Sequence, residues 1–198
     1  MAQGYGGRVD MGDAELKSTE VLLDGPKRFV RETLVMPDGE EIEWAYVDTP
    51  ASVLIVPVLP DGQMVMVHQY RYNLRRYVLE FPAGTVTNGE TPAVAALREL
   101  EEETGFALAE DAELRLLGRF YSLPSETNKY TYAFLARPVV KVHPAIKDSE
   151  IEQYFNMSSI IMAPGAIETA IGDSVAGTET ITALMLARQS RPPQAHQG

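Results

Sequence analysis

One run of residues constrains this chain more than any other. It reads Gly84, five residues, Glu90, seven residues, then Arg98-Glu99-Leu100-Glu101-Glu102-Glu103-Thr104-Gly105-Phe106. Thr91 suits a helix N-cap, and Pro92 suits the first helical position, where a missing N–H costs nothing. Gly105 suits the left-handed residue that ends a helix, so the spacing predicts a helix over 92–104. At about 100° per residue, Ala93, Leu97, Leu100 and Thr104 fall on one side, expected to face the core. Glu99, Glu102 and Glu103 fall within an arc of about 100° on another.

A row of helical glutamates is usually a solvated face, and residue types alone leave that reading open. The electrostatics oppose it. Glu99 and Glu103 form an i,i+4 like-charge pair, costing about 0.2–0.5 kcal/mol. Four glutamates also crowd the negative end of the helix dipole, each disfavoured by roughly 0.3–1 kcal/mol. A divalent cation reverses the sign of both effects, and carboxylate oxygens suit Mg²⁺ or Mn²⁺.

The 198 residues and 45% apolar content support one sizeable core with an extension. A net charge of −11 argues against a nucleic-acid backbone or an anionic membrane as the main partner. It permits a small anionic substrate, because bound metal inverts the field locally. With no cysteine there is no disulfide framework, thiolate nucleophile or Cys-type zinc site. His68, His143 and His196 have no paired metal-ligand spacing. Neither a GxxxxGK[ST] loop nor a GxSxG elbow is present. No window approaches about 18 uninterrupted apolar residues, and residues 1–13 are glycine-rich without a signal-like apolar stretch. The expectation is a soluble cytoplasmic protein.

Residues 1–13 and the Pro-Pro-containing 191–198 read as flexible. Strand-like alternation runs over 20–23, 28–36 and 41–47, with Pro37-Asp38-Gly39 as a turn. Residues 53–59 and 64–70 read as a second hairpin around Pro60-Asp61-Gly62. Strands follow the glutamate helix at 114–121, 130–136 and 150–156. Residues 157–162 and 167–171 read as short helices and 178–188 as a longer one. Antiparallel hairpins, a helix, further strands and a last helix predict an α+β or mixed α/β architecture, not a doubly wound parallel sheet.

The Gly84–Phe106 run fills every fixed position of the pattern G-x5-E-x7-R-E-U-x-E-E-x-G-U, where U is bulky and apolar. It thereby resembles the Nudix family of hydrolases, which act on nucleoside diphosphates linked to another group. Gln69-Tyr70-Arg71-Tyr72, Glu80-Phe81-Pro82-Ala83-Gly84, Gly165–Ala170 and Thr180–Leu184 are similar to the branch that hydrolyses ADP-ribose and other nucleoside diphosphate sugars. The resemblance covers roughly residues 18–190. It implies a mixed α/β/α sandwich over 51–190, preceded by a small antiparallel β region at 14–50 that helps form a homodimer and can cross into the partner's pocket.

The resemblance also implies roles. Glu99 and Glu103, assisted by Glu102 and by the Ala83 main-chain carbonyl, would hold Mg²⁺ or Mn²⁺ against a pyrophosphate bridge. Arg98 would brace the glutamates. The general base would be Glu150 or Glu152, in a loop beyond the box, unless the metals act directly with a box glutamate as base. For the nucleotide substrate the candidates are Arg71, Glu80, Tyr70 and Arg76. An arginine at a strand end is also commonly a plain surface residue, and aromatics there more often complete a core. Close ADP-ribose hydrolases commonly carry Pro-Gly and then an acid after the box. Here the loop is Ser122-Leu123-Pro124-Ser125-Glu126-Thr127-Asn128-Lys129. Pro124 stays without its glycine, and Lys129 could favour another phosphate or sugar. The expected activity is metal-dependent hydrolysis of ADP-ribose to AMP and ribose 5-phosphate. The alternatives are another NDP-sugar, a dinucleotide, a coenzyme, or a Nudix domain that senses such metabolites without turnover.

Overall fold

A computed structural model describes residues 13–25, 27–145, 154 and 157–190. They fall into two compact units, one drawn from Met1–Thr49 with Leu123–Lys129, the other from Pro50–Ser122 with Tyr130–Gly198.

The first unit is a three-stranded antiparallel sheet, β1 (Glu15–Leu23), β2 (Arg28–Val35) and β3 (Glu41–Asp48), in that spatial order. Its tight turn works because Gly39 takes φ +87° while its N–H donates to the Met36 carbonyl at 2.8 Å. The pleat separates two faces. Leu16 opposes Leu34, which opposes Ile42, while Glu32 opposes Trp44 and Val21 opposes the buried Val30. Arg31 is on the other face, between Glu20 and Glu43. The segment Leu123–Lys129 joins this unit through Val47, whose N–H donates to the Glu126 carbonyl at 2.9 Å, and through Asn128, which donates to Asp48 at 2.7 Å.

The second unit holds β4 (Ser52–Pro57), β5 (Met64–Arg71), β6 (Arg76–Glu80), β7 (Ala83–Thr85), α1 (Pro92–Thr104), β8 (Phe106–Tyr121), β9 (Tyr130–Lys141), β10 (Ser158–Met162), α2 (Pro164–Thr169) and α3 (Thr178–Gln189). One sheet runs β7-β4-β9-β8, with β4 and β9 parallel; the other runs β10-β5-β6. Every residue of β4 is buried, as expected of a strand covered on both faces. Its odd positions Val53 and Ile55 pack with Ala95, Ala96 and Leu100 of α1. Its even positions Leu54 and Val56 pack with Ala183, Leu184 and Ala187 of α3. The sheet core is therefore covered by α1 on one side and α3 on the other.

Several elements differ from the sequence reading. Residues 53–59 and 64–70 do not form a laddered hairpin: after one isolated bridge between Val58 and Met64 they enter different sheets. Both are apolar enough to be central strands, so each takes its own neighbours. Residues 158–162 form a strand, not a helix, because pairing with Met64–His68 sets Ile160 beside Met66 and overrides a weak local preference. The short strands β6 and β7 carry too little alternation to stand out in the sequence. On α1 the buried side is Ala95, Ala96, Leu100 and Thr104, whereas Ala93 and Leu97 are exposed. The strand expected over 150–156 falls, apart from Tyr154, outside the described residues. Among the described residues no helix is long and apolar enough to cross a membrane.

The ends of α1 follow their capping chemistry. Thr91 Oγ1 accepts the Val94 N–H at 3.3 Å, and Gly105, at φ +68°, returns its N–H to the Glu101 carbonyl. A Cβ on Gly105 would stand 2.1 Å from the His143 carbonyl oxygen, an atom of rigid backbone. Gly105→Ala is therefore expected to lose more than the roughly 1–2 kcal/mol of the left-handed conformation alone. Urea unfolding at neutral pH checks this.

Candidate active site

The exposed Ala93 and Leu97 follow from the way α1 is turned. Its rotation puts Glu99 and Glu103 in the seam facing β7, beside the buried Leu100. The Ala83 N–H donates to Glu103 Oε2 at 2.9 Å. Gly84 is needed one residue later because its missing Cβ is where Glu99 lies: a Cβ there would sit 1.9 Å from the Glu99 carboxylate carbon.

Arg98 organises the rest. Its Nη1 donates to Glu99 Oε1 at 2.8 Å and to Glu102 Oε2 at 2.9 Å. Its Nε and Nη2 grip the two oxygens of Glu90 at 2.9 and 3.1 Å, and Nη2 also reaches the Thr85 carbonyl at 3.1 Å. Glu90 accepts further bonds from Thr87. The bidentate fork matches a carboxylate pair in a way lysine cannot. Glu90 had only a spacing role in the sequence, yet it is the principal partner of the arginine; its fixed place in the run was the available signal.

The charges respond to these contacts. Arg98 holds the Glu90 carboxyl down to about 2. The Arg98 guanidinium is itself raised, chiefly by Glu90. Glu99 goes the other way: burial raises it, outweighing its bond to Arg98, and the neighbouring Glu102 and Glu90 add to the rise. Glu99 is thus a half-desolvated carboxylate that would gain from a further positive charge. Among the described residues, no three acidic or histidine side chains converge on one point suited to a metal ion. The carboxylates face Arg98 and the Ala83 N–H. The donor set of hard oxygens from Glu99, Glu102 and Glu103, in negative excess over Arg98, nevertheless fits a divalent cation.

The expected substrate residues divide. Arg71 and Glu80, four positions apart along the β5–β6 ladder, form an ion pair: Arg71 Nε donates to Glu80 Oε2 at 3.0 Å, and Nη2 bonds the same oxygen. Gln69 adds a bond to Glu80 at 2.9 Å. Arg76 donates to the Asp173 carbonyl at 2.7 Å. Tyr70 meets Tyr77 edge-on at 5.3 Å, and Tyr77 stacks on His68 at 4.8 Å. Pro124 and Lys129 belong to the first unit. Glu150 and Glu152 lie outside the described residues.

Because the atoms that meet a Gly84 Cβ are the mobile end of a glutamate, Gly84→Ala is expected to leave stability within about 0.5 kcal/mol. It should still drive Glu99 from its seat. Calorimetric titration with Mn²⁺ should show weakened binding, with an unchanged urea midpoint.

Comparison with known proteins agrees with this geometry. The NUDIX domain family model matches residues 48–171. The ADP-ribose pyrophosphatase of Bacillus subtilis (strain 168) is 36% identical over 105 residues, 53% of this chain and 55% of that one. The ADP-sugar pyrophosphatase of Mus musculus is 37% identical over 101 residues, 45% of this chain and 46% of that one. The chain thus spans about half the length of these curated relatives. A crystal structure of an ADP compounds hydrolase superposes with TM-score 0.74 over 89% of this chain and 92% of that one, at 20% identity, which speaks for the fold. With the family model covering more than half of its residues, the chain belongs to the NUDIX family.

Proposed function

We propose that the protein is a divalent-metal-dependent hydrolase that splits the pyrophosphate bond of a nucleoside diphosphate sugar, with ADP-ribose going to AMP and ribose 5-phosphate. One observation carries the reading: the Glu99 carboxylate packs against Gly84, largely shielded from solvent, and that shielding raises it despite the bond from Arg98. A carboxylate in that state is stabilised by a cation. The activities for which the Bacillus subtilis and mouse relatives are named support an ADP-linked sugar as substrate.

A divalent cation held by Glu99, Glu102 and Glu103, with the Ala83 carbonyl as a further donor, would set positive charge against the phosphate oxygens and make water more acidic. The chain's own residues do the positioning. Arg98 fixes Glu99 and Glu102 on one side while Glu90 and the Thr85 carbonyl hold the guanidinium on the other. The Ala83 N–H orients Glu103. Arg71 and Glu80 neutralise each other, so substrate recognition there would exchange an internal ion pair for contacts to phosphate and a ribose hydroxyl. Glu150 or Glu152 remains the proposed base. Glu103→Gln should lower Mg²⁺-dependent release of AMP from ADP-ribose by on the order of 10² to 10³. The circular dichroism spectrum should stay unchanged; equal turnover in the variant would remove Glu103 from the site.

We assign a second copy of the chain as the partner of the first unit. Leu16, Val21, Ile42 and Trp44 lie on one face of that sheet and are exposed. A sheet face of this kind needs a cover. Light scattering should give the mass of a dimer, and Trp44→Asp should shift it towards the 21.8 kDa monomer. A monomeric parent protein would refute the assignment.

A further inference from the structure

Arg98 serves only one side of α1. The other side of its last turn, at the negative end of the helix dipole, meets the end of β9 and the residues that follow it. Lys141 Nζ donates to the Thr104 carbonyl at 2.6 Å and lies 4.8 Å from the centre of the Phe106 ring. Two residues later, both ring nitrogens of His143 face oxygens. Nε2 is 2.9 Å from Glu101 Oε1, and Nδ1 is 2.6 Å from the Pro144 carbonyl oxygen. The backbone closes the same joint, since the Gly105 carbonyl accepts the N–H groups of Val142 at 2.9 Å and His143 at 3.3 Å.

A neutral imidazole has one N–H to give. A carbonyl oxygen and a carboxylate have none to return. Only the imidazolium donates to both. We propose that His143 is a positioning residue for the proposed active site: as a cation it ties the Glu101 turn of the glutamate helix to the end of β9, and the tie slackens when the ring loses a proton.

The charged groups facing the ring are Glu101 from α1, which favours the cation, and Lys141 from β9, which opposes it. The Pro144 carbonyl and then Glu101 hold the ring above the ordinary histidine range, against partial burial and Lys141. A raised folded-state value means the stabilisation is full below about pH 6.5, the unfolded value, and is lost as pH rises through the folded value. The tie rests on the proposed function only for its importance to catalysis, so it is read without turnover.

The test is an NMR titration of the full chain, with the ring signals of His143 assigned by their loss in His143→Gln. In the parent, His143 is expected to titrate above about 6.5, and the Glu102 and Glu103 amide signals should move with it. In Glu101→Gln the His143 value should fall, and those amides should cease to follow it. Urea midpoints of parent and His143→Gln should differ at about pH 5.5 and coincide at about pH 8.5. Titration at the ordinary value without response to Glu101→Gln, or an equal midpoint deficit at both pH values, overturns the proposal. Absence of ADP-ribose hydrolysis would count against the proposed function and leave this tie standing.

Discussion

Carboxylates crowded beside one helix repel one another, and the guanidinium of Arg98 is what lets Glu90, Glu99 and Glu102 share this space. Its Nη1 meets Glu99 and Glu102, Nε meets Glu90, and Nη2 closes on Glu90 and the Thr85 carbonyl. The arginine thereby ties the loop after β7 to α1. It does not neutralise the cluster. Glu99 remains raised by burial, and Glu103 is oriented by a backbone N–H. The arrangement keeps an excess of negative charge over the one guanidinium beside it.

Two glycines make that position attainable, for different reasons. Gly105 sits at φ +68° against the His143 backbone, so it fixes where α1 stops and where β8 starts. Gly84 leaves space that a neighbouring carboxylate fills. A side chain at the first harms the fold, whereas a side chain at the second harms the site. Beneath both, β4 alternates its buried residues between α1 and α3, so the helix bearing the glutamates rests on a strand covered from both sides.

Features carried by local chemistry were legible in the sequence. Thr91, Pro92 and Gly105 set the bounds of α1, and the Pro37-Asp38-Gly39 turn set the β2–β3 hairpin. Features decided by distant partners were not. Ser158–Met162 became a strand because Met64–His68 offered it a ladder. The two strands around Pro60-Asp61-Gly62 parted because each was apolar on both faces. The exposure of Ala93 and Leu97 on α1 is not legible in a helical wheel, which carries no information on the side from which the β7 backbone approaches. At the site, the contact of Arg98 with Glu99 and Glu102 was legible through the family resemblance. The grip of Glu90 on Arg98 and the pairing of Arg71 with Glu80 depend on side-chain direction, which spacing does not encode.

The most direct test of the account is product release by the parent protein with Mg²⁺ from ADP-ribose, ADP-glucose, UDP-glucose and GDP-mannose. AMP and ribose 5-phosphate should form from ADP-ribose, with release extinguished by a chelator and restored by added Mg²⁺. Binding of these nucleotides with no release of a monophosphate from any of them would contradict it and leave a domain that recognises such metabolites without cleaving them.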